Sequence, residues 1–143
     1  RVAWCLRAVL ADRCAVPDEQ RLVLPQELTL DDALADLAAV KALEPDARGR
    51  VMQLVHALGV EPDHLLRSAA PSPGEARKLR LALGLGRHAW LAVLDEPTNH
   101  LDLPAIERLE AALVAFPGAL LVVTHDERLG GALGAEPVTL AQR

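Results

Sequence analysis

The sequence has no tyrosine, one phenylalanine and two tryptophans in 143 residues. Without large aromatic anchors, a core must be built from Leu, Ala and Val. Cysteine is scarce as well. Cys5 and Cys14 have no metal-ligand spacing and no partnering His cluster. They read as reduced cytosolic thiols rather than a disulfide or a metal site. No apolar run approaches the roughly 20 residues of a membrane span, and no signal peptide is visible. Direct membrane insertion is not expected, and the cytoplasm is the expected compartment. Basic charge is not in excess either. A net charge of −5 gives no general reason to expect nucleic-acid binding.

What is present is ordinary for a folded domain. The chain is 51% hydrophobic and 24% charged, a balance that favours a globular core over disorder. Its length suits one modest domain. It begins with Arg1 rather than Met, which hints at a fragment.

The rest of the chain is organised around Trp90 to Asp102. Leu91, Ala92, Val93 and Leu94 form a short apolar run without alternation. This predicts a strand covered on both faces, as in a parallel sheet. Asp95 and Glu96 follow at once. Pro97 disfavours a helical Glu96 and predicts an extended exit from the strand. Ligands in open α/β sheets sit at the carboxyl ends of strands, so two adjacent carboxylates arrive where a ligand would sit. Neighbours on an extended chain point in opposite directions. One carboxylate can then face a metal and the other a water. Four apolar residues and an Asp form the Walker B pattern, whose Asp helps hold Mg²⁺ on a nucleotide. A following Glu is placed to polarise water. On its own the pair is also compatible with an acidic surface turn.

Asp95-Glu96-Pro97-Thr98-Asn99-His100-Leu101-Asp102 resembles Walker B and the adjoining D-loop of ATP-binding cassette (ABC) ATPases. The ending Asn99 to Asp102 resembles the ABC-F branch, which lacks membrane spans and acts mostly on ribosomes. Transporter cassettes more often carry small residues before the Leu-Asp.

Several other stretches extend the resemblance. Arg1 to Arg13 reads as a helix with Leu6, Val9 and Leu10 on one face. It resembles the helix that follows the phosphate-binding loop. No Gly-x-x-x-x-Gly-Lys-Ser/Thr string occurs in the sequence, so the chain is expected to begin just downstream of its own P-loop. Arg21 to Pro25 predicts a short strand through Leu22, Val23 and Leu24, and Gln26 after it resembles the Q-loop. A Gln there can offer its carbonyl oxygen to Mg²⁺ and its amide to water. It is equally an ordinary polar loop residue.

Thr29 to Arg67 reads as a helical insert. Asp31 is a candidate cap for a helix facing inward with Leu34, Leu37 and Ala38. Pro45 opens a second helix, whose apolar face is Val51, Leu54, Val55 and Leu58 and which Gly59 ends. A third runs near Asp63 to Arg67. His56, His64 and His88 read as structural or solvated.

Pro71-Ser72-Pro73-Gly74-Glu75 predicts a helix start with a capping box between Ser72 and Glu75. A helix N-terminus is also an anion site. The string resembles the ABC signature, usually Leu-Ser-Gly-Gly-Gln or -Glu. Ser72, Gly74 and Glu75 match, whereas Pro71 and Pro73 depart from it. Pro73 removes one backbone donor. The helix continues to Leu85, with basic first turns expected at an exposed tip, and Gly84 and Gly86 are expected to weaken its end.

Asp102 is a candidate cap for a helix with Ile106, Leu109, Leu113 and Phe116 inward. Ala119 to Thr124 predicts a second apolar strand through Leu120, Leu121, Val122 and Val123, ending in Thr124-His125-Asp126. Strand, helix and strand make a βαβ unit with parallel neighbours. His125 should thus reach the same sheet edge as Asp95 and Glu96. It matches the ABC switch histidine. Pro137 to Leu140 is strand-like.

The expected architecture is α/β: a partial, P-loop NTPase-like ABC nucleotide-binding domain. Residues 1–143 would form a single partial domain. Residues 29–88 would be an inserted helical subdomain carrying the signature, and 1–28 with 89–143 the parallel-sheet core. The resemblance implies ATP and Mg²⁺ as cofactors and a second cassette, in the same parent chain or a dimer mate, as partner. Glu96 and His125 would be catalytic, with Asp95 and Gln26 as metal contacts through the nucleotide. Gln26, Asp95, Ser72, Gly74, Glu75, Asn99 and Asp102 would contact nucleotide or line the cassette interface, with Asp102 as the D-loop acid. The ABC-F likeness further implies a ribosome as partner, in translation or antibiotic resistance. In that case the basic surface for ribosomal RNA should lie outside this stretch. Two alternatives stay open: a transporter's ATP-binding subunit, and a truncated non-catalytic cassette acting as an interaction module. The parent is expected to be an ATPase; for the 143 residues alone the sequence leaves this open.

Overall fold

The computed structural model describes residues 14–136. The helix expected over Arg1 to Arg13, with Cys5, and the strand-like Pro137 to Leu140 lie outside the described residues. A single 3₁₀ turn, Asp18–Gln20, leads into strand β1 (Arg21–Leu24). Three helices follow: α1 (Leu30–Lys41), α2 (Pro45–Ala57) and α3 (Pro62–Arg67). Then come α4 (Pro73–Gly86), β2 (Leu91–Asp95), α5 (Leu103–Val114), β3 (Ala119–Val123) and α6 (Glu127–Ala132).

The strands form one parallel sheet in the order β1-β2-β3. Leu24 pairs with Leu94, and Leu94 with Val122. Because all three strands run the same way, Leu24, Asp95 and Val123 end at one edge. The central β2 is buried through Ala92, Val93 and Leu94, as its unalternating apolar run predicts.

Two apolar clusters meet on α4. Leu81 joins Leu22, Leu24, Ala92, Leu94, Leu109 and Leu113 against the sheet. Leu79, Ala82 and Leu83 pack instead with Leu37, Val40, Val51, Val55 and Leu65 of the three preceding helices. A fully buried leucine contributes about 1.5–3 kcal/mol relative to an exposed one. The helix that opens at Ser72 therefore belongs to both cores.

Local expectations hold with four corrections. First, Thr29, not Asp31, caps α1. Its hydroxyl accepts the Asp32 N–H at 3.1 Å, and the Asp32 carboxylate accepts the Thr29 N–H at 3.1 Å. Second, the inward face of α1 is Ala33, Asp36, Leu37 and Val40, while Leu34 and Ala38 are exposed. A carboxylate can hold that place because Arg80 of α4 reaches Asp36 at 2.5 Å. Burial still pushes the Asp36 carboxyl above its ordinary range, with Arg80 acting against the shift.

Third, the glycines at the end of α4 do not stop it short; the helix runs through Gly84 to Gly86. A Cβ on Gly84 would meet the Leu22 side chain at 2.6 Å. Glycine here permits close packing of helix on strand, and that outweighs its lower helix propensity of about 1 kcal/mol. Fourth, Glu96 is not extended. Its φ is +47°, in the left-handed region that non-glycine residues rarely adopt.

Candidate functional site at the carboxyl edge of the sheet

The unusual backbone of Glu96 has identifiable supports. Its N–H donates to the Val123 carbonyl at 2.8 Å, and its carbonyl accepts from the Asn99 N–H at 3.1 Å. Pro97 disfavours the right-handed helical basin for the residue before it. The tight turn from Glu96 to Asn99 then takes the left-handed alternative. Conformations of this kind cost about 1–3 kcal/mol and gather at functional sites.

Glu96 is carried to one edge by β2, and His125 by β3. The His125 Nε2 lies 3.7 Å from the Glu96 Oε1. The Glu96 side chain is 14% exposed and that of His125 99%. The carboxylate is thus sheltered while the imidazole stands in solvent. Thr124 approaches the other carboxylate oxygen, its Oγ1 3.4 Å from Oε2. The same Oγ1 accepts the Asp126 N–H at 3.0 Å. Asp126 in turn caps α6 by accepting from the N–H groups of Arg128 and Leu129. This cap is the signal for α6, a helix that the three glycines Gly130, Gly131 and Gly134 obscure in the sequence.

Asp95 closes β2 and is half-buried, and Gln26 is exposed in the loop after β1. The parallel register puts both at the edge that holds Glu96 and His125. Asn99 is exposed on the following turn. Asp102 caps α5, its Oδ1 accepting from the Ala105 N–H at 3.0 Å.

Ser72, Gly74 and Glu75 lie apart from this group, at the start of α4. The expected capping box is present. The Ser72 hydroxyl accepts from the Glu75 N–H at 3.4 Å and donates to Glu75 Oε2 at 2.7 Å. The Ser72 N–H donates to the same oxygen at 2.8 Å. These bonds from the Ser72 hydroxyl and N–H hold the Glu75 carboxyl below its ordinary range, with His64 and Lys78 adding to the shift. The Ser72 hydroxyl and Ser72 N–H are therefore already serving an internal carboxylate. An incoming anion would compete with it.

Sequence reasoning missed the residue that joins the two groups. Arg77, expected on a solvated basic turn, is 3% exposed. Its guanidinium donates to four carbonyls: Pro25 at 3.0 Å, Gln26 at 2.7 Å, Asp95 at 3.1 Å and Glu96 at 2.7 Å. Desolvation lowers its pKa, and the charges of Asp95 and Glu96 act in the opposite sense. Nothing local in the sequence marks Arg77 over Lys78 or Arg80.

A three-stranded parallel sheet backed by helices has counterparts among solved structures. The ATP-binding subunit of an ABC transporter aligns with 85% of this chain and 55% of its own, at a TM-score of 0.61 and 24% identity. The fold is part of an ABC ATPase nucleotide-binding domain. No protein-family model matches the chain. Among curated proteins it is similar to the tylosin resistance ATP-binding protein TlrC of Streptomyces fradiae. That match is 46% identical over 70 residues, 48% of this chain and 13% of TlrC. It is also similar to the energy-dependent translational throttle protein EttA of Mycobacterium tuberculosis. There the identity is 45% over 65 residues, 46% of this chain and 12% of EttA. The likeness is thus to ATP-binding ABC proteins, and the chain spans a small part of their length. No helix among the described residues is long and apolar enough to cross a membrane.

Proposed function

We propose that this chain is the greater part of one cassette of an ABC-F type ATPase, binding and hydrolysing ATP with a second cassette. The observation that carries the reading is the meeting of Glu96 and His125 at 3.7 Å on the sheet edge that also receives Asp95 and Gln26. Glu96 would orient and activate the attacking water, and His125 would stabilise charge at the γ-phosphate. Ser72, Gly74 and Glu75 would serve the nucleotide of the opposite cassette. Asn99 and Asp102 would lie at the interface between cassettes. Residues 29–88 would act as a helical subdomain on the core formed by 1–28 and 89–143.

The donor set fits Mg²⁺ that arrives on a nucleotide. Mg²⁺ keeps several waters and takes one or two carboxylates plus phosphate oxygens. Asp95, directly or through a water, and the Gln26 side-chain oxygen supply that much. When bound, the ion would neutralise charge on the transferring phosphoryl group.

One relative's name records tylosin resistance and another's a translational throttle. Together with Asn99-His100-Leu101-Asp102 they support a ribosome-associated role, in translation or antibiotic resistance, in the cytoplasm. Under this reading the phosphate cradle comes from outside these 143 residues, which hold no Gly-x-x-x-x-Gly-Lys string.

Calorimetry with Mg-ATP tests the reading, first on this chain and then with a P-loop segment joined upstream. Binding in the extended form alone is expected. Binding by neither form would overturn the ATPase reading and favour a non-catalytic interaction module.

A further inference from the structure

Arg77 makes a contact set that its position in the sequence does not demand. A guanidinium on the second turn of α4 could have stayed in solvent, as its neighbour Lys78 partly does. Instead it is buried, with its Nε hydrogen-bonded to nothing among the described residues. Burying a cation is expensive unless it is compensated. The compensation is the four carbonyls named above, which belong to two separate segments. Nη1 takes Pro25 and Gln26 at the end of β1. Nη2 takes Asp95 and Glu96 at the end of β2. The planar fork suits this division; an ammonium cannot reproduce it.

The two segments are neighbours in the sheet, yet each leaves it by its own irregular loop. Glu96 also has a left-handed backbone, at φ +47°, that needs an external hold. Arg77 provides one from α4, whose first turn begins at Ser72. From Ser72 to Arg77 is about 7 Å along a helix axis. Arg80 reinforces the dock one turn later, meeting Asp36 at 2.5 Å and the Val23 carbonyl at 3.4 Å.

We infer that Arg77 is a positioning residue: its guanidinium locks the carboxyl ends of β1 and β2 to the first turns of α4. Gln26, Asp95 and Glu96 are thereby held in one relation to Ser72. The locking stands on geometry alone. Its consequence for catalysis rests on the ATPase reading above, in which Ser72 serves one nucleotide and Glu96 the other. Arg77 then joins the two nucleotide sites through a single side chain.

The test is amide hydrogen exchange on the 143-residue chain without nucleotide, for wild type, R77K and R77M. Loss of one hydrogen bond to a charged donor corresponds to about tenfold or more in local opening. After correction for global stability, R77M should speed exchange by that factor at the Glu96 and Asn99 amides. The amides of Val93 and Leu94 should be unchanged. R77K should recover part of the protection. If R77M does not fold, a smaller rise at the same amides in R77K carries the test. A uniform rise, or none, in R77K would overturn the inference and leave Arg77 as a packing residue. In a longer form that hydrolyses ATP, R77K should lower kcat about tenfold with KM within about twofold. An unchanged kcat there would remove the catalytic consequence. A wild-type longer form without ATPase activity would sink the functional reading and leave the exchange result to decide the locking.

Discussion

His125 and Glu96 stand 3.7 Å apart although 29 positions separate them in the sequence. The pairing exists because β2 and β3 are parallel neighbours in register, so their carboxyl ends coincide. The helix between them, α5, serves to return the chain to the start of the sheet. A carboxylate sheltered within reach of a solvated imidazole can handle a proton and a developing negative charge at one point.

Replacing Glu96 with Gln should preserve the turn, because the backbone bonds to Val123 and Asn99 do not use the carboxylate. In a form that hydrolyses ATP, turnover should fall by about a hundredfold or more while nucleotide stays bound. Single-turnover kinetics beside a binding assay would separate the two effects. Undiminished turnover in E96Q would remove Glu96 from the chemistry.

Ser72→Ala removes the side-chain half of the cap on α4. Such a loss costs about 1 kcal/mol, or about 3–4 °C in midpoint for a domain of this size. Thermal unfolding followed by circular dichroism reads it directly. A midpoint unchanged from wild type would mean the capping box adds nothing to stability.

Glu75 makes part of that stability depend on pH. Its folded pKa lies below the ordinary value of 4.5 because it accepts from the Ser72 hydroxyl and N–H. The ionised form is therefore favoured by folding. Its contribution is fully present above 4.5 and is lost as pH falls through the lower folded value. E75Q should be less stable than wild type at pH 7, and the gap should close in acid. Asp36 works in the opposite direction, since burial raises its pKa above 3.8. Its contribution is greatest below 3.8 and is lost as pH rises through the folded value. Comparing E75Q with wild type cancels this second term.

Asp36 and Arg80 form a largely buried pair, their side chains 10% and 19% exposed. Removing the carboxylate alone with D36A strands the guanidinium near the core. Arg80 keeps Asp32 at 3.6 Å, so a loss of about 2 kcal/mol is expected. The double variant D36L/R80L should be milder than the two single losses added, because a buried pair can give way to apolar packing. Urea unfolding of wild type, D36L, R80L and D36L/R80L completes the cycle, and strict additivity would mean the two side chains do not interact.

Gly84→Ala should destabilise rather than help the helix. The added Cβ would lie 2.6 Å from Leu22 on β1. Overpacking of this kind costs about 1–3 kcal/mol, more than the gain of about 1 kcal/mol in helix propensity. A rise in melting temperature would show that β1 and α4 can move apart freely.

The sequence by itself determined whatever depends on neighbours along the chain. The run Leu91 to Leu94 marks its own strand, because four apolar residues without alternation suit a strand covered on both faces. Ser72 and Glu75 mark their own helix start, and Asp102 marks another, because a cap is a bond spanning three residues. Asp95 to Asp102 carries the likeness to ABC proteins for a similar reason: it is one unbroken string. The tertiary structure alone decided where charge is buried. Asp36 lies inward only because Arg80, 44 residues on, comes to meet it. Arg77 is a core residue only because the ends of β1 and β2 bring four carbonyls to one place. Glu96 leaves the extended conformation for the same reason, being held by Val123 and Arg77 from other elements. A buried polar group is admitted by its partner, and here each partner lies far away in the sequence.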